Sequence, residues 1–539
     1  MPTIAPLLRV ALTAAALLFT AQPTCAQGAA TQGAPMPPAP EDVPTLVVFF
    51  TIDQLRMDYF ERFDAQLNGG LARLYRGGAV FTNAHHDHAN TETAPGHAAT
   101  MSGRFPASTG IVSNAAGVGD PQAPLIGARG PGASPFRFRG TTLTDWLRIK
   151  NPASRALSVS RKDRGAILPI GRQPQDVYWY ASNGTFTTST WYRDTLPTWV
   201  QRFNARKVPQ SYAGREWTLL LDTAAYPEVD SLEEGSAQGN VRFPHVLSAS
   251  PDTAAGLLPN FPWIDEVTLA FGLTGLTELQ LGTGPQTDVL AISLSATDAV
   301  GHAFGPHSRE LHDQILRLDR MMGTFLDSLF KLRDSTRVVI ALTSDHGVAP
   351  YPKVREALGE GAPVYIDAAQ PVRAFTEGLL SAGVPEGAVV IEDGVLLVDR
   401  PALARARVNA DSVVTAFVTT ARTIPGVARV DRVADLARAD TATDIVARRW
   451  LHMLPPEMPA EAVVTPAEYA VPSTSTYAMH GSPYDYDSHV PVIFYGLPFR
   501  AGKYDAFARV VDMAPTLAWV TATAPLERLD GQVLRAALR

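Results

Sequence analysis

Residues 45–53 read Thr-Leu-Val-Val-Phe-Phe-Thr-Ile-Asp. A run of apolar and β-branched residues closed by a carboxylate describes a strand buried on both faces, as in a parallel sheet. The pattern recurs twice. Val289–Leu294 (VLAISL) is followed by Asp298, with His302 four residues on, and Val338–Leu342 (VVIAL) by Asp345 and His346. In an open α/β sheet, ligands gather beyond the carboxyl ends of the strands. Residues hundreds of positions apart can therefore meet at one sheet edge. Carboxylate with imidazole is the donor set of zinc and similar divalent ions. The expected fold is α/β: a central, mostly parallel sheet with helices on both faces and inserted α+β subdomains.

The chain has 539 residues and a net charge of −7. It shows no Lys/Arg block, which argues against a nucleic-acid-binding face. Arg9, the apolar stretch 10–21 and Thr24-Cys25-Ala26 have the form of a secretion signal over residues 1–26. The apolar stretch is too short for a transmembrane helix, and no later segment is apolar enough to span a membrane. Cys25 is the single cysteine. Gln22-Pro23-Thr24 before it is a poor lipidation signal, so a soluble exported protein is expected, periplasmic or secreted. Its mature form would have no disulfide, thiolate metal site or cysteine nucleophile. Residues 27–43, rich in Gly, Ala, Pro and Gln, read as a flexible linker.

Downstream, residues 44–539 read as one catalytic domain. Leu55, Tyr59, Phe60 and Phe63 share a helical face, and residues 93–103 read as a loop entering a helix, with Pro95 in its first turn. Residues 307–330 carry the spacing of an amphipathic helix packed on the sheet. A late strand is expected at 491–496 and a closing helix at 510–520. The strand–helix alternation lapses at about 115–285 and about 360–475, which read as insertions. The first holds a hairpin expectation, 177–182 and 185–190 about Asn183-Gly184. The second holds strand and helix signals at 388–399 and 401–421.

Asn90–Asn114 reads NTETAPGHAATMSGRFPASTGIVSN. Its Thr-x-Pro-Gly-His pattern, with the three Asp sites, resembles the alkaline phosphatase superfamily. Ser160–Ala166 (SRKDRGA) is similar to the Lys-x-Arg motif of the phosphate-irrepressible type within it. The resemblance implies a nucleophile at Thr93 and two zinc ions. Asp298, His302 and His480 match one ligand set; Asp53, Asp345, His346 and Thr93 match the other. It also implies that Asn114, Lys162 and Arg164 bind the phosphoryl oxygens.

The chemistry of these residue types agrees with those roles. A threonine hydroxyl is a poor nucleophile until its proton is removed, which metal coordination achieves. Two metals about 4 Å apart would clamp the attacking and departing oxygens of an in-line displacement. On an extended segment Lys162 and Arg164 would share a face, and two cations beside two zincs suit a phosphomonoester dianion. The expected activity is phosphomonoester hydrolysis through a phosphothreonine, acting on phosphorylated small molecules. The alternative is a phosphodiesterase or nucleotide pyrophosphatase of the same superfamily, and a rival of another class is a binding protein that has lost turnover. Thr91 competes with Thr93, and His489 with His480. His85, His86 and His88 with Asp87 read as a hydrogen-bonded or solvated loop, and His97 as structural.

Overall fold

Nine strands form the main sheet among the residues that the computed structural model describes, 42–228, 242–475 and 478–539. The expected signal sequence and nearly all of the linker lie outside them. In chain order the strands are β1 (Leu46–Ile52), β2 (Ala79–Phe81), β3 (Ala156–Ser160), β4 (Asp176–Tyr180), β5 (Phe186–Thr187), β6 (Asp288–Leu294), β7 (Val338–Thr343), β8 (Val492–Tyr495) and β9 (Gly502–Tyr504). Across the sheet they run β9-β2-β8-β7-β1-β6-β3-β4-β5. The central strands β7, β1, β6, β3 and β4 are parallel to one another. β8 runs against both neighbours and β5 against β4.

The alternation of side chains along these strands builds two cores. Leu46, Val48, Phe50 and Ile52 of β1 enter one, with Leu290 and Ile292 of β6 and Ile340 and Leu342 of β7. Val47 and Phe49 enter the other, with Val289, Ala291, Val339 and Ala341. A strand apolar at every position is what a sheet covered on both faces requires. At about 1.5–3 kcal/mol per buried side chain, β1 alone contributes on the order of 10 kcal/mol before chain entropy is counted.

Five helices matter for the site: α1 (Thr93–Ser102), α2 (Asp163–Ile167), α3 (Trp263–Glu278), α4 (Ala296–Phe304) and α5 (Arg309–Leu332). α3 and α5 pack on the first core, α1 and α2 on the second. No helix among the described residues is long and apolar enough to cross a membrane.

Two expectations change. The stretch 115–285 is not wholly an insertion, because β3, β4 and β5 within it belong to the main sheet. The hairpin about Asn183-Gly184 is present as β4 and β5, pairing Trp179 with Thr187 and Tyr180 with Phe186. The stretch 388–399 is not one strand. It folds back at Asp393-Gly394 into the pair Val389–Glu392 and Val395–Val398, which joins Val427–Arg432 and Ala460–Pro466 in a separate four-stranded sheet.

Every residue of α1 is buried, and Ala, Gly, Thr and Ser fill most of it. Small side chains let it approach the sheet edge closely. At Gly96 a Cβ would stand 2.1 Å from the carbonyl oxygen of Asp345. Gly96→Ala is therefore expected to cost about 3 kcal/mol, because backbone on both sides must shift. Denaturant unfolding measures this, and a cost under about 1 kcal/mol would show that α1 does not need that approach.

Candidate active site

Asp53 directly follows β1, Asp345 follows β7, and Asp298 lies in the first turn of α4, which follows β6. These are three adjacent parallel strands, so their carboxyl ends bring the acids together. All three are buried, at 0%, 0% and 4% exposure for Asp53, Asp345 and Asp298. Ligand atoms of Asp53, Asp345 and His346 lie within 4.8 Å of one another, as do those of Asp298, His346 and His480. His302 completes the second group, its Nε2 lying 3.2 Å from Asp298 Oδ1. The His346 and His480 rings stack at 3.6 Å, and those of His302 and His480 lie 5.0 Å apart.

Lys162 closes the cluster. It ends the loop after β3, and its Nζ stands 2.5 Å from Asp53 Oδ2 and 2.7 Å from Asp298 Oδ2. One ammonium among three carboxylates leaves negative charge in excess. Burial, then the charges of Asp298 and Asp345, push the Asp53 carboxyl well above its usual range despite Lys162. For Asp298 burial is outweighed by Lys162 and His302, and for Asp345 by His346 and His97, so both are held well below it. Burial also lowers His346 and His480, toward the neutral imidazole, the form that binds metal. Both oxygens of Asp53 and Oδ2 of Asp345 are buried without an aligned hydrogen bond. Buried carboxylate oxygens short of aligned hydrogen bonds, with imidazoles beside them, are a donor set that fits divalent cations.

Thr93 opens α1, with Glu92 as the preceding cap residue. Its Oγ1 lies 3.4 Å from His346 Nε2 and 3.4 Å from Lys162 Nζ. Thr91 is otherwise engaged, donating its hydroxyl to the Ser482 carbonyl at 2.9 Å. Asn114 accepts the Ala94 N–H through Oδ1 at 2.9 Å, which leaves the amide nitrogen as the donor. Lys162 and Arg164 do not lie on an extended segment. Lys162 is the residue before α2 and Arg164 sits in its first turn. Lys162 enters the carboxylate cluster, whereas Arg164 acts electrostatically on Glu92.

The competing histidines have other partners. His489 bonds the Thr82 carbonyl at 2.7 Å and stacks on His85 at 4.7 Å. His85, His86 and His88 are buried rather than solvated. His86 Nε2 bonds the Ser344 carbonyl at 2.8 Å, and Asp87 pairs with Arg448 and His452. His97 is structural but also touches the site: Nδ1 stands 2.9 Å from the Thr93 carbonyl and 3.1 Å from Asp345 Oδ2, and Nε2 bonds Ser293 Oγ at 2.9 Å.

Sequence reasoning missed several supports. Gln54 bridges two of the acids, its N–H donating to Asp345 Oδ1 at 3.1 Å and its Nε2 to Asp298 Oδ1 at 3.2 Å. It does so with φ +68, a strained value for a non-glycine residue. Asp265 of α3 accepts the N–H groups of Ser295 and Ala296 at 3.0 and 3.1 Å, anchoring the start of α4. Asp487 holds the His480 loop by accepting the Ser482 N–H at 2.9 Å and hydroxyl at 2.7 Å. No periodicity marks such supporting acids; only the nearness of Asp487 to His480 gives a signal.

The comparisons agree with this geometry. Residues 47–360 match the family described as Type I phosphodiesterase / nucleotide pyrophosphatase. The alkaline phosphatase PhoV of Synechococcus elongatus is 29% identical, over 88% of this chain and 89% of its own. The alkaline phosphatase PhoK of a Sphingomonas species is also 29% identical, over 91% of each chain. The crystal structure of alkaline phosphatase PafA superposes with a TM-score of 0.85 at 26% identity, covering 92% of this chain and 99% of PafA. The chain therefore belongs to the type I phosphodiesterase/nucleotide pyrophosphatase family and is an alkaline phosphatase superfamily enzyme of the PafA and PhoK type.

Proposed function

We propose that the protein is an exported phosphomonoesterase that works through a covalent phosphothreonine at Thr93. One observation carries the reading. The Thr93 hydroxyl stands at the N-terminus of a buried helix, 3.4 Å from both Lys162 Nζ and His346 Nε2, beside carboxylates that a single lysine does not neutralise. Asp298, His302 and His480 would hold one zinc ion; Asp53, Asp345 and His346, with Thr93, would hold the other. Such a pair of ions supplies Lewis acidity at the attacking and departing oxygens.

The chain's own residues do the rest. Thr93 Oγ1 gives up its proton to solvent and attacks phosphorus in line as the ester P–O bond breaks, and the departing alkoxide takes a proton from solvent to leave as the alcohol. Water then attacks the phosphothreonine, releasing inorganic phosphate and restoring the hydroxyl. The N-terminal end of α1 brings its favourable dipole to the transferring oxygens, with the Asn114 amide nitrogen alongside. The Lys162 ammonium, next to the nucleophile, favours the more anionic monoester. Arg164 offers a planar fork to two further oxygens.

The family description also covers phosphodiesterases and nucleotide pyrophosphatases. Lys162 at the nucleophile favours monoesters over that second reading. Rates on p-nitrophenyl phosphate and bis-p-nitrophenyl phosphate distinguish the two, and faster diester cleavage would reverse the assignment.

Thr93→Ala is expected to reduce monoester turnover at least about 10³-fold and to abolish acid-trapped phosphoprotein. A phosphate label found on Thr91 instead would overturn the nucleophile. Lys162→Ala and Arg164→Ala are each expected to cost about 10²-fold or more on the monoester and clearly less on the diester; equal losses would remove the basis for monoester preference. Chelation is expected to abolish activity and lower the melting temperature by about 5 °C, both restored by zinc. Full activity after exhaustive dialysis against chelator would contradict the metal assignment.

A further inference from the structure

A cavity of about 80 Å³ lies between the loop that precedes α1 and the four-stranded sheet with its neighbouring helix Ile445–Met453. Val112, Trp450, Met453 and Met458 form its apolar wall, and Asn90 and Ser113 add polar atoms. Glu392 and Asp393, both exposed, border it from the turn of the 389–398 hairpin. A volume of this size holds several non-hydrogen atoms but is well below the roughly 300 Å³ of a drug-sized pocket. It suits a small alkyl group and excludes a nucleoside.

Its walls are tied to the catalytic residues. Asn90 donates from Nδ2 to the Val112 carbonyl at 3.1 Å and from its N–H to Met453 Sδ at 3.4 Å, so one residue joins two walls. Gly481, next to His480, packs on the same Asn90: a Cβ at 481 would stand 3.3 Å from Asn90 Oδ1 and 3.9 Å from Glu92 Cγ. His480 Nδ1 in turn bonds the Thr91 carbonyl at 2.9 Å. On the far side, Ser113 precedes Asn114, whose N–H donates to Glu92 Oε2 at 2.6 Å. The cavity therefore adjoins the loop that carries His480, through Asn90 and Gly481, and the segment that carries Asn114, through Ser113.

The sign of the field is also set. Glu392, Asp393 and Glu92 bring acidic groups to this side. An anionic leaving group would meet repulsion here. A cation would meet carboxylates beside an indole and two thioethers, all of them polarisable.

We propose that this cavity is the leaving-group subsite, and that it selects phosphomonoesters of small alcohols bearing an ammonium group over those bearing a carboxylate. The proposal rests on the assignment of the His480 ligand set to the departing oxygen. Choline phosphate, propyl phosphate and phosphoglycolate present one phosphoryl group with a cationic, a neutral and an anionic leaving group. The expected order of kcat/KM in the zinc-loaded enzyme is choline phosphate, then propyl phosphate, then phosphoglycolate.

The double variant Glu392→Gln with Asp393→Asn removes both rim charges, and Asn tolerates the φ of +46 at position 393. It is expected to lower the choline-to-propyl ratio about fivefold while inhibition by inorganic phosphate, which has no leaving group, stays the same. Ala116 also lines the cavity. Ala116→Phe is expected to cause a loss that grows from methyl to propyl to choline phosphate. An unchanged ratio in the double variant, or equal losses on all three esters in Ala116→Phe, would overturn the subsite. A wild type that cleaves only diesters would instead overturn the monoester reading. The same leaving groups carried as methyl phosphodiesters would then decide the cavity separately.

Discussion

Three carboxylates on adjacent parallel strands, dry and close together, are the constraint around which this molecule is arranged. Neighbouring strands stand about 4.8 Å apart, so acids just beyond β1 and β7 and in the first turn of the helix that leaves β6 are held close together by the sheet. Buried in this way, they cannot all be balanced by water. The charge must be met from nearby, and donors and a cation surround the cluster. Lys162 pairs with Asp53 and Asp298, Gln54 donates to Asp298 and Asp345, and His97 stands against Asp345. What remains uncompensated at Asp53 is the capacity for divalent ions.

Holding such a cluster requires rigid surroundings, because small displacements change metal distances and the attack geometry alike. The structure answers with short, buried elements. α1 is packed on all sides and meets Asp345 through Gly96. α4, which carries Asp298 and His302, is fixed at its first residues by Asp265. The His480 loop has no regular structure over most of its length. It is held instead by Asp487 and by the Gly347 N–H donating to the Asp487 carbonyl at 2.6 Å. The less regular the segment carrying a ligand, the more buried polar bonds support it.

Much of this was legible in the sequence, and the legible part has a physical signature. Strands covered on both faces must be apolar throughout, so 46–52, 289–294 and 338–342 declared themselves, and the acids beyond them marked one sheet edge. Pro95 in the first turn marked the start of α1. Other features gave no such signal. β3 to β5 were hidden because aromatic, polar and turn-rich sequence resembles an insertion; Tyr178, Trp179 and Tyr180 are nevertheless buried strand residues. The 389–398 hairpin was read as one strand because Asp393-Gly394 interrupts the apolar run by only two residues. The Lys162–Arg164 geometry depended on a helix beginning at Asp163, and with a strand-like spacing assumed, the two side chains were drawn on one face. Gln54 and Asp265 act as single side chains across long sequence separations, which no local pattern encodes.

The charge balance also explains why one lysine can serve both the protein and a substrate. Three carboxylates and the Lys162 ammonium leave two negative charges in the cluster. Two divalent ions reverse that to two positive charges. A Thr93 alkoxide and the Arg164 guanidinium then cancel each other, so the positive excess matches a phosphomonoester dianion and exceeds a diester monoanion by one. Were the carboxylates satisfied by metal, as proposed, the Lys162 ammonium would no longer be needed by Asp53 and Asp298. It already stands within 3.4 Å of the nucleophile, where a transferring phosphoryl group has the greatest use for it. Under the proposed reading, the residue that balances the acids in the protein alone would become the partner of the substrate in the loaded site, and electroneutrality would favour the monoester.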